Sequence, residues 1–407
     1  MSTSDVIPIR LRLPGIKVTK LLRDDTEALE VAVETICASI RCKDCGHKTR
    51  TVHQVTPTRV RDLPVLGRRT TLVWARRRFR CGSCGATTTE SHPQLDGHLT
   101  IRLRRELVAE VVDSTVAAVA RRHDLSWYQV MAVVLASATV LFWRRRHEHT
   151  RVLMIDEKAL VKGHNGFSTI VSDGESGKVI AVLEGRSEAV LAEFFATQSA
   201  RWCAGVAIVC TDMANCYRAA IRSWLPKATH VADRFHILHN FMALLVEARR
   251  AAQATPAGEP HDPVVFKARF ALMTRMDRLS AEQATQLTEV FATHPHLEAV
   301  WELTQRFHRI YEARGADAGY EAIVEFCDAA ERTLVDLGST LRTLWRWREC
   351  WMGFHTSGRW TNAVAEGINA KIEVLERKAY GFRTQANHEA RIVIECSGHR
   401  RKNRPAA

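Results

Sequence analysis

The stretch Arg151-Val-Leu-Met-Ile-Asp-Glu157 decides how the middle of this chain is read. Four consecutive apolar residues, Val152–Ile155, form a short strand, and the carboxylate of Asp156 stands directly at its exit. Working outward, further apolar strands are expected at Phe167–Val171, Lys178–Leu183, Val206–Cys210 and Thr229–Val231. Helical periodicity falls between them at Ser187–Thr197 and Asn215–Ser223. Strands alternating with helices define an α/β domain. A second acid, Asp212, follows Val206–Cys210 after the single residue Thr211.

On either side the pattern changes. Residues 234–350 read as helix, interrupted by Thr255–Pro263 with its three prolines, and a last amphipathic helix covers Thr361–Arg377. Upstream, residues 98–143 show helical spacing, with Leu103, Leu107 and Val111 in one segment and Val130, Met131 and Val134 in the next. Residues 1–95 carry short alternating stretches, Ala32–Ile40 and Thr70–Phe79, around paired cysteines. A length of 407 residues allows two to four domains at the usual ~100–200 residues each.

Charge separates the same regions. Lys and Arg number 58 against 45 Asp and Glu, and residues 1–150 hold 25 against 15, so most of the net +13 lies in the front third. That placement suits contact with a polyanion there and a different task behind it. Hydrophobic content of 46% excludes a disordered chain. The start lacks a signal peptide's apolar core, and the longest apolar stretch, Val130–Trp143, is short for a bilayer. Eleven cysteines without a secretion signal read as thiols or metal ligands. A soluble cytoplasmic protein with no membrane partner is expected.

Cys42-Lys-Asp-Cys45 and Cys81-Gly-Ser-Cys84 are two C-x-x-C knuckles, each followed by glycine. Four thiolates make a closed tetrahedral site for one structural Zn²⁺. His47 is the substitute ligand, and Cys37 is expected in the core. Near the second knuckle, Arg76, Arg77, Arg78 and Arg80 bracket Phe79 and suit phosphate contact. Thr115–Arg122 followed by Ser126–Leu135 reads as a helix-turn-helix, with Ala120 at the helix crossing, Leu125 plugging the interface and Asp124 where a glycine is common. Ser126 would cap the second helix, and Ser126, Trp127 and Gln129 would face a DNA groove.

Carboxylates at two strand exits suit Mg²⁺, a hard cation that prefers oxygen ligands. On the last helix Glu366 shares a face with Asn362, Asn369 and Glu373, while Val364, Ile368, Ile372 and Leu375 form an apolar stripe on another. Asp233-Arg-Phe-His236 follows the fifth strand, where Asp233 either caps the next helix or, with His236, supports the site. Trp345, Trp347 and Trp351 read as helical core rather than a base-stacking platform. No nucleophile elbow, phosphate-binding glycine loop or dinucleotide fingerprint occurs.

The order of these motifs resembles the bacterial insertion-sequence transposases of the ISL-three type, from Cys42 to Arg391. The matching pieces are the knuckles with Arg61-Asp-Leu-Pro64 and Arg78-Phe-Arg-Cys81, then Ile155-Asp-Glu157 with Lys162-Gly-His164, Thr211-Asp212 with Tyr217, Asp233-Arg-Phe-His236, Glu366-Gly-Ile-Asn-Ala-Lys-Ile372 and Arg377-Lys-Ala-Tyr-Gly-Phe382. The resemblance implies an RNase H-like α/β catalytic core, a mixed sheet flanked by helices. Its DDE triad of Asp156, Asp212 and Glu366 would hold two Mg²⁺ ions, with Mn²⁺ as a substitute. Asp233 competes with Asp212 as the second acid, and Asp233, His236 and Asn369 would support the triad. The long gap before Glu366 implies a mostly α-helical insertion.

The expected division is a zinc-binding DNA-contact module at 1–95, a helix-turn-helix at 96–148, the first part of the core at 149–235 and the insertion at 236–355. The last core helix follows at 356–398, then a basic tail at 399–407. The implied activity is metal-dependent cleavage and strand transfer of double-stranded DNA, at terminal inverted repeats and a target. Lys371, Arg377, Lys378 and Arg383 would hold DNA beside Glu366. A homodimer or larger assembly and a bacterial, nucleoid-associated cytoplasmic location are expected. The rivals are a non-catalytic zinc and helix-turn-helix DNA-binding regulator, and a nuclease of the same fold that hydrolyses without joining.

Overall fold

The computed structural model describes residues 11–95, 97–145, 147–159, 166–253, 262–332 and 338–396. The basic tail and Lys162-Gly-His164 lie outside the described residues. The chain forms two compact units, Met1–Leu141 with Val374–Ala407, and Phe142–Glu373.

In the first unit the strands are β1 (Ile16–Asp24), β2 (Ala28–Thr35), β3 (Ile40–Arg41), β4 (Lys48–Thr49), β5 (Val52–Val65), β6 (Arg68–Arg80) and β7 (Thr87–Thr89). The main sheet has the order β1-β2-β6-β5, with β7 added to β6. Strict alternation in β2 buries Leu29, Val31 and Val33 against Val60, Leu72 and Trp74. The β5–β6 hairpin turns on Leu66 and Gly67, both at positive φ, the conformation that a two-residue hairpin of matching twist requires. Cys37 was expected in the core but is exposed: β2 ends at Thr35, and the chain beyond it turns to solvent.

Helices α1 (Ile101–Asp113), α2 (Val116–Arg122) and α3 (Trp127–Arg145) follow. Thr100 and Thr115 cap the first two through their hydroxyls. Ser126 and Gln129 form a reciprocal capping box at the start of α3, with Oγ accepting from the Gln129 N–H at 3.2 Å. Asp124 in the turn has φ +49°, the left-handed conformation for which glycine is common there. At 19 residues, α3 outruns the apolar stretch read from the sequence, and by length and composition it is long and apolar enough to cross a membrane.

In the second unit, β8 (Val152–Ala159), β9 (Phe167–Asp173) and β10 (Val179–Glu184) precede α4 (Glu188–Ala196) and α5 (Ala200–Gly205). Then come β11 (Ile208–Thr211), α6 (Asn215–Trp224) and β12 (Thr229–Ala232). The sheet order is β10-β9-β8-β11-β12, with the first three strands antiparallel and the last three parallel. Both faces are covered. Leu153 and Ile155 pack with Leu191, Phe195, Tyr217 and Ile221, while Val152 and Met154 pack with Phe307, Phe326, Trp347 and Trp351.

The helical block comprises α7 (Arg234–Gln253), α8 (Pro263–Lys267), α9 (Arg269–Leu272), α10 (Ala281–Thr293), α11 (Pro295–Glu312), α12 (Ala316–Arg332) and α13 (Gly338–Thr356). Trp347 and Trp351 are each 1% exposed and belong to the core, whereas Trp345 is exposed. Helix α14 (Ala363–Ala379) buries Ala365, Ile368, Ile372 and Leu375, so its apolar stripe is as expected. Helix α15 (Gln385–Glu395) belongs to the first unit, where Arg391 and Lys378 donate to the carbonyls of Val111 and Val112 at the end of α1, at 3.0 and 2.8 Å.

Candidate active site and metal centre

Register builds the acidic site. Thr211 pairs in parallel with Ile155 on one side and with Ala232 on the other. Each of the three strands is followed at that level by an aspartate, so Asp156, Asp212 and Asp233 stand in a row at the carboxyl edge of the parallel strands. Asp156 itself lies within β8, which continues to Ala159, rather than just after it. From the sequence Asp233 and Asp212 compete for one position, whereas the sheet sets them side by side.

The three aspartates are 7%, 7% and 1% exposed. Burial, and then the charge of Asp212, pushes Asp156 up to about 7. Burial likewise raises Asp212, with the charges of Glu157 and Asp233 adding to it. Like charges withdrawn from water favour the proton, or a cation that replaces it. Asp156 Oδ1 accepts from the N–H of Glu157 at 3.0 Å, and Oδ2 accepts from the Asn369 amide at 2.9 Å. Asp212 Oδ1 accepts from the N–H of Ala214 at 3.2 Å. His236 Nδ1 lies 3.0 Å from Asp233 Oδ2, and that bond holds the imidazole above its ordinary pKa.

Glu366 reaches this neighbourhood on α14. Burial raises its carboxyl, and the charge of Asp233 adds to the rise. One turn along the helix, Asn369 bonds Asp156, and Glu373 pairs with Lys158 of β8 at 2.5 Å. Asn362, on the same face, is 1% exposed, and neither of its amide atoms has a partner among the described residues. His230 was not anticipated. It sits 2.8 Å from Thr211 Oγ1, the residue before Asp212, and burial followed by the charges of Arg218 and Arg222 brings it down to about 4.

The donor set here is hard oxygen, which fits Mg²⁺. Among the described residues the ligand atoms of three or more metal-binding side chains come within 4.8 Å of one another only at Cys42, Cys45, Cys81 and Cys84. Cys42 and Cys84 sulfurs are 3.7 Å apart, and those of Cys45 and Cys81 3.5 Å. A tetrahedron with Zn–S bonds of 2.3 Å requires about 3.8 Å, so the cradle fits zinc. The two knuckles repeat one geometry, in which Gly46 and Gly85, at φ +71° and +73°, return an N–H to the carbonyls of Cys42 and Cys81. Backbone N–H groups of Cys45 and Asp44 hold the Cys42 thiol down to about 6. His47 is outside the cluster.

Comparison with known proteins gives the family and supports the zinc module. A transposase family model of the ISL3 type matches residues 153–392, more than half of the chain. The chain belongs to the ISL3 transposase family. A zinc-finger model of the transposases of IS204, IS1001, IS1096 and IS1165 matches residues 38–84. The transposase of insertion sequence IS1001 from Bordetella parapertussis is 27% identical over 393 residues, 95% of this chain and 96% of that protein. The IS1557 transposase of Mycobacterium tuberculosis is 25% identical over 277 residues, 63% of this chain and 62% of its own.

The family processes DNA, and the residues expected to touch it are unequally disposed. Arg77 is engaged inside the protein by Glu90 at 2.9 Å and by the carbonyl of Cys37. Arg76 donates to the carbonyl of Glu90, and Arg78 to Thr87. Phe79 is fully buried, so the arginines do not flank an exposed ring. Arg78, Arg80, Ser126, Trp127, Gln129, Lys371, Arg377 and Arg383 are exposed, while Lys378 is half-buried on the carbonyl of Val112.

Proposed function

We propose that this ISL3 transposase cleaves and joins DNA strands at Asp156, Asp212 and Glu366. The observation that carries the reading is the row of buried carboxylates at the parallel strand edge, with Glu366 brought toward it by α14. An order of three antiparallel strands followed by two parallel ones supports an RNase H-like core. Mg²⁺ ions held by these three acids would activate the attacking oxygen and stabilise the leaving one.

The chain's own groups prepare that site. Asn369 and the Glu157 N–H fix both oxygens of Asp156. Asp233 and His236 form a supporting pair whose imidazole is biased toward its protonated form, setting one positive charge beside the acids. Thr211, held by His230, orients the backbone that presents Asp212. The capped α2 and α3 with a tight turn at Asp124 support a helix-turn-helix. That element and the zinc module would bind terminal inverted repeats, with affinity falling steeply as salt rises. Two element ends processed together require at least a homodimer.

Asp212→Asn should reduce strand cleavage at element ends by ~100-fold or more while sparing duplex binding, since an amide is a poor ligand for a hard cation. Cleavage at the normal rate by this variant would refute the assignment.

A further inference from the structure

Helices α8 and α9 carry apolar surface that their own core does not use. Val265, Ala268, Ala271 and Leu272 are buried, packed with Leu245, Leu287, Val290 and Trp301. The opposite side is apolar as well. Phe266, Phe270, Met273 and Met276 are 49%, 66%, 45% and 50% exposed. Scattered exposed hydrophobes need no explanation, but a run of four beside a completed core does.

Charge is interleaved with this run. The Arg269 guanidinium lies 4.1 Å from the Phe266 ring centre and 4.4 Å from that of Phe270, and it is anchored on the Phe266 carbonyl at 2.8 Å. Lys267 and Arg278 are exposed at the edges, and Arg275 is taken by Asp277 and Glu312. Phe, Met and Arg are common at protein interfaces too, but the exposed cations Lys267 and Arg278 beside the rings, in a chain of a DNA-processing family, favour a polyanion as the occupant. A DNA duplex offers phosphates but keeps its base faces stacked, leaving the rings without a partner. Unpaired DNA offers both, because bases stack on aromatic and guanidinium planes while cations meet the backbone.

We propose that the Phe266–Arg269–Phe270 surface binds unpaired DNA, with exposed bases stacking on the two rings and Lys267 and Arg278 meeting phosphates. The inference rests on membership of a DNA-processing family and makes no use of the three acids.

The test is fluorescence anisotropy of the full-length, zinc-loaded protein in Mg²⁺-free buffer, with labelled oligothymidylate and a labelled blunt duplex. Phe266→Ala and Phe270→Ala should each weaken oligothymidylate binding about 5- to 100-fold, with duplex affinity changed less than about twofold. Phe270→Leu, which keeps an apolar side chain but no ring, should lose a comparable amount and melt like the parent. A 2-aminopurine base in the oligomer should be quenched by the parent protein and not by the alanine variants. Unchanged single-strand affinity, or an equal loss on the duplex, would overturn the proposal. So would variants that keep DNA binding but change sedimentation, because the patch would then be a protein contact. Cleavage is not read, so failure of the acid triad and failure of this surface are separable.

Discussion

Replacing Asp156 by asparagine should stabilise the protein in the absence of divalent cation. Asp156 is 7% exposed, no salt bridge among the described residues neutralises it, and its carboxyl is raised from 3.8 to about 7. The sign follows from linkage. Between those values the folded chain holds a proton that the unfolded chain has released, so stability falls as pH rises through this window and levels off above it. Relative to a permanently neutral group the cost is roughly 4 kcal/mol at about pH 8 and roughly 2 kcal/mol at about pH 5, both upper bounds. At ~3 °C per kcal/mol for a unit of this size, Asp156→Asn should melt roughly 10 °C higher near pH 8 and roughly 5 °C higher near pH 5. Thermal unfolding of the zinc-loaded protein in Mg²⁺-free buffer reads this directly. Adding Mg²⁺ should raise the parent and leave the variant nearly unmoved, because the ligand is gone. A variant that melts at or below the parent near pH 8, or by a margin that does not shrink near pH 5, would refute the reasoning.

Zinc predictions are independent of the acids. Metal analysis should find one Zn²⁺ per chain, and Cys45→Ser should release it and abolish the cooperative melting of the zinc module, because such modules draw their folding energy from the metal. Asn369→Ala removes the amide bound to Asp156 Oδ2 and should slow strand cleavage by roughly 10- to 100-fold without changing duplex affinity. A single-turnover cleavage assay paired with a gel-shift titration checks that separation.

Much of the second unit is legible in the sequence because its strands are apolar on both faces. All five expected strands are present, and the exits of β8 and β11 reveal Asp156 and Asp212. What the sequence leaves open is register. Asp233 joins the row only once Thr211 is known to lie between Ile155 and Ala232. His230 stays hidden for the same reason, since its partner Thr211 is on the neighbouring strand. Strand β5 carries Pro57 and Pro64 among polar residues and does not read as a strand; its place at the sheet edge makes the prolines tolerable. Helix α15 escapes notice because it buries His388 and Arg391, polar residues that blur its apolar face. The arginine run at Arg76–Arg80 is misleading in the other direction, because pairing with Glu90, 13 residues from Arg77, turns Arg77 inward. Charge runs reveal net potential, while the partner that consumes a charge is a property of the fold.

Whether Asp156 and Asp212 at the strand edge, with Glu366 on α14, carry out strand chemistry rather than only shaping the fold is decided by one measurement. A labelled duplex ending in the element's own inverted repeat is incubated with target DNA, with and without Mg²⁺, using the parent protein and Glu366→Gln. The account predicts cleavage and joining that require Mg²⁺ and are lost in Glu366→Gln, with binding of the repeat retained. Specific binding of the repeat with no metal-dependent cutting by the parent protein would contradict it, and would leave a DNA-binding regulator in place of an active transposase.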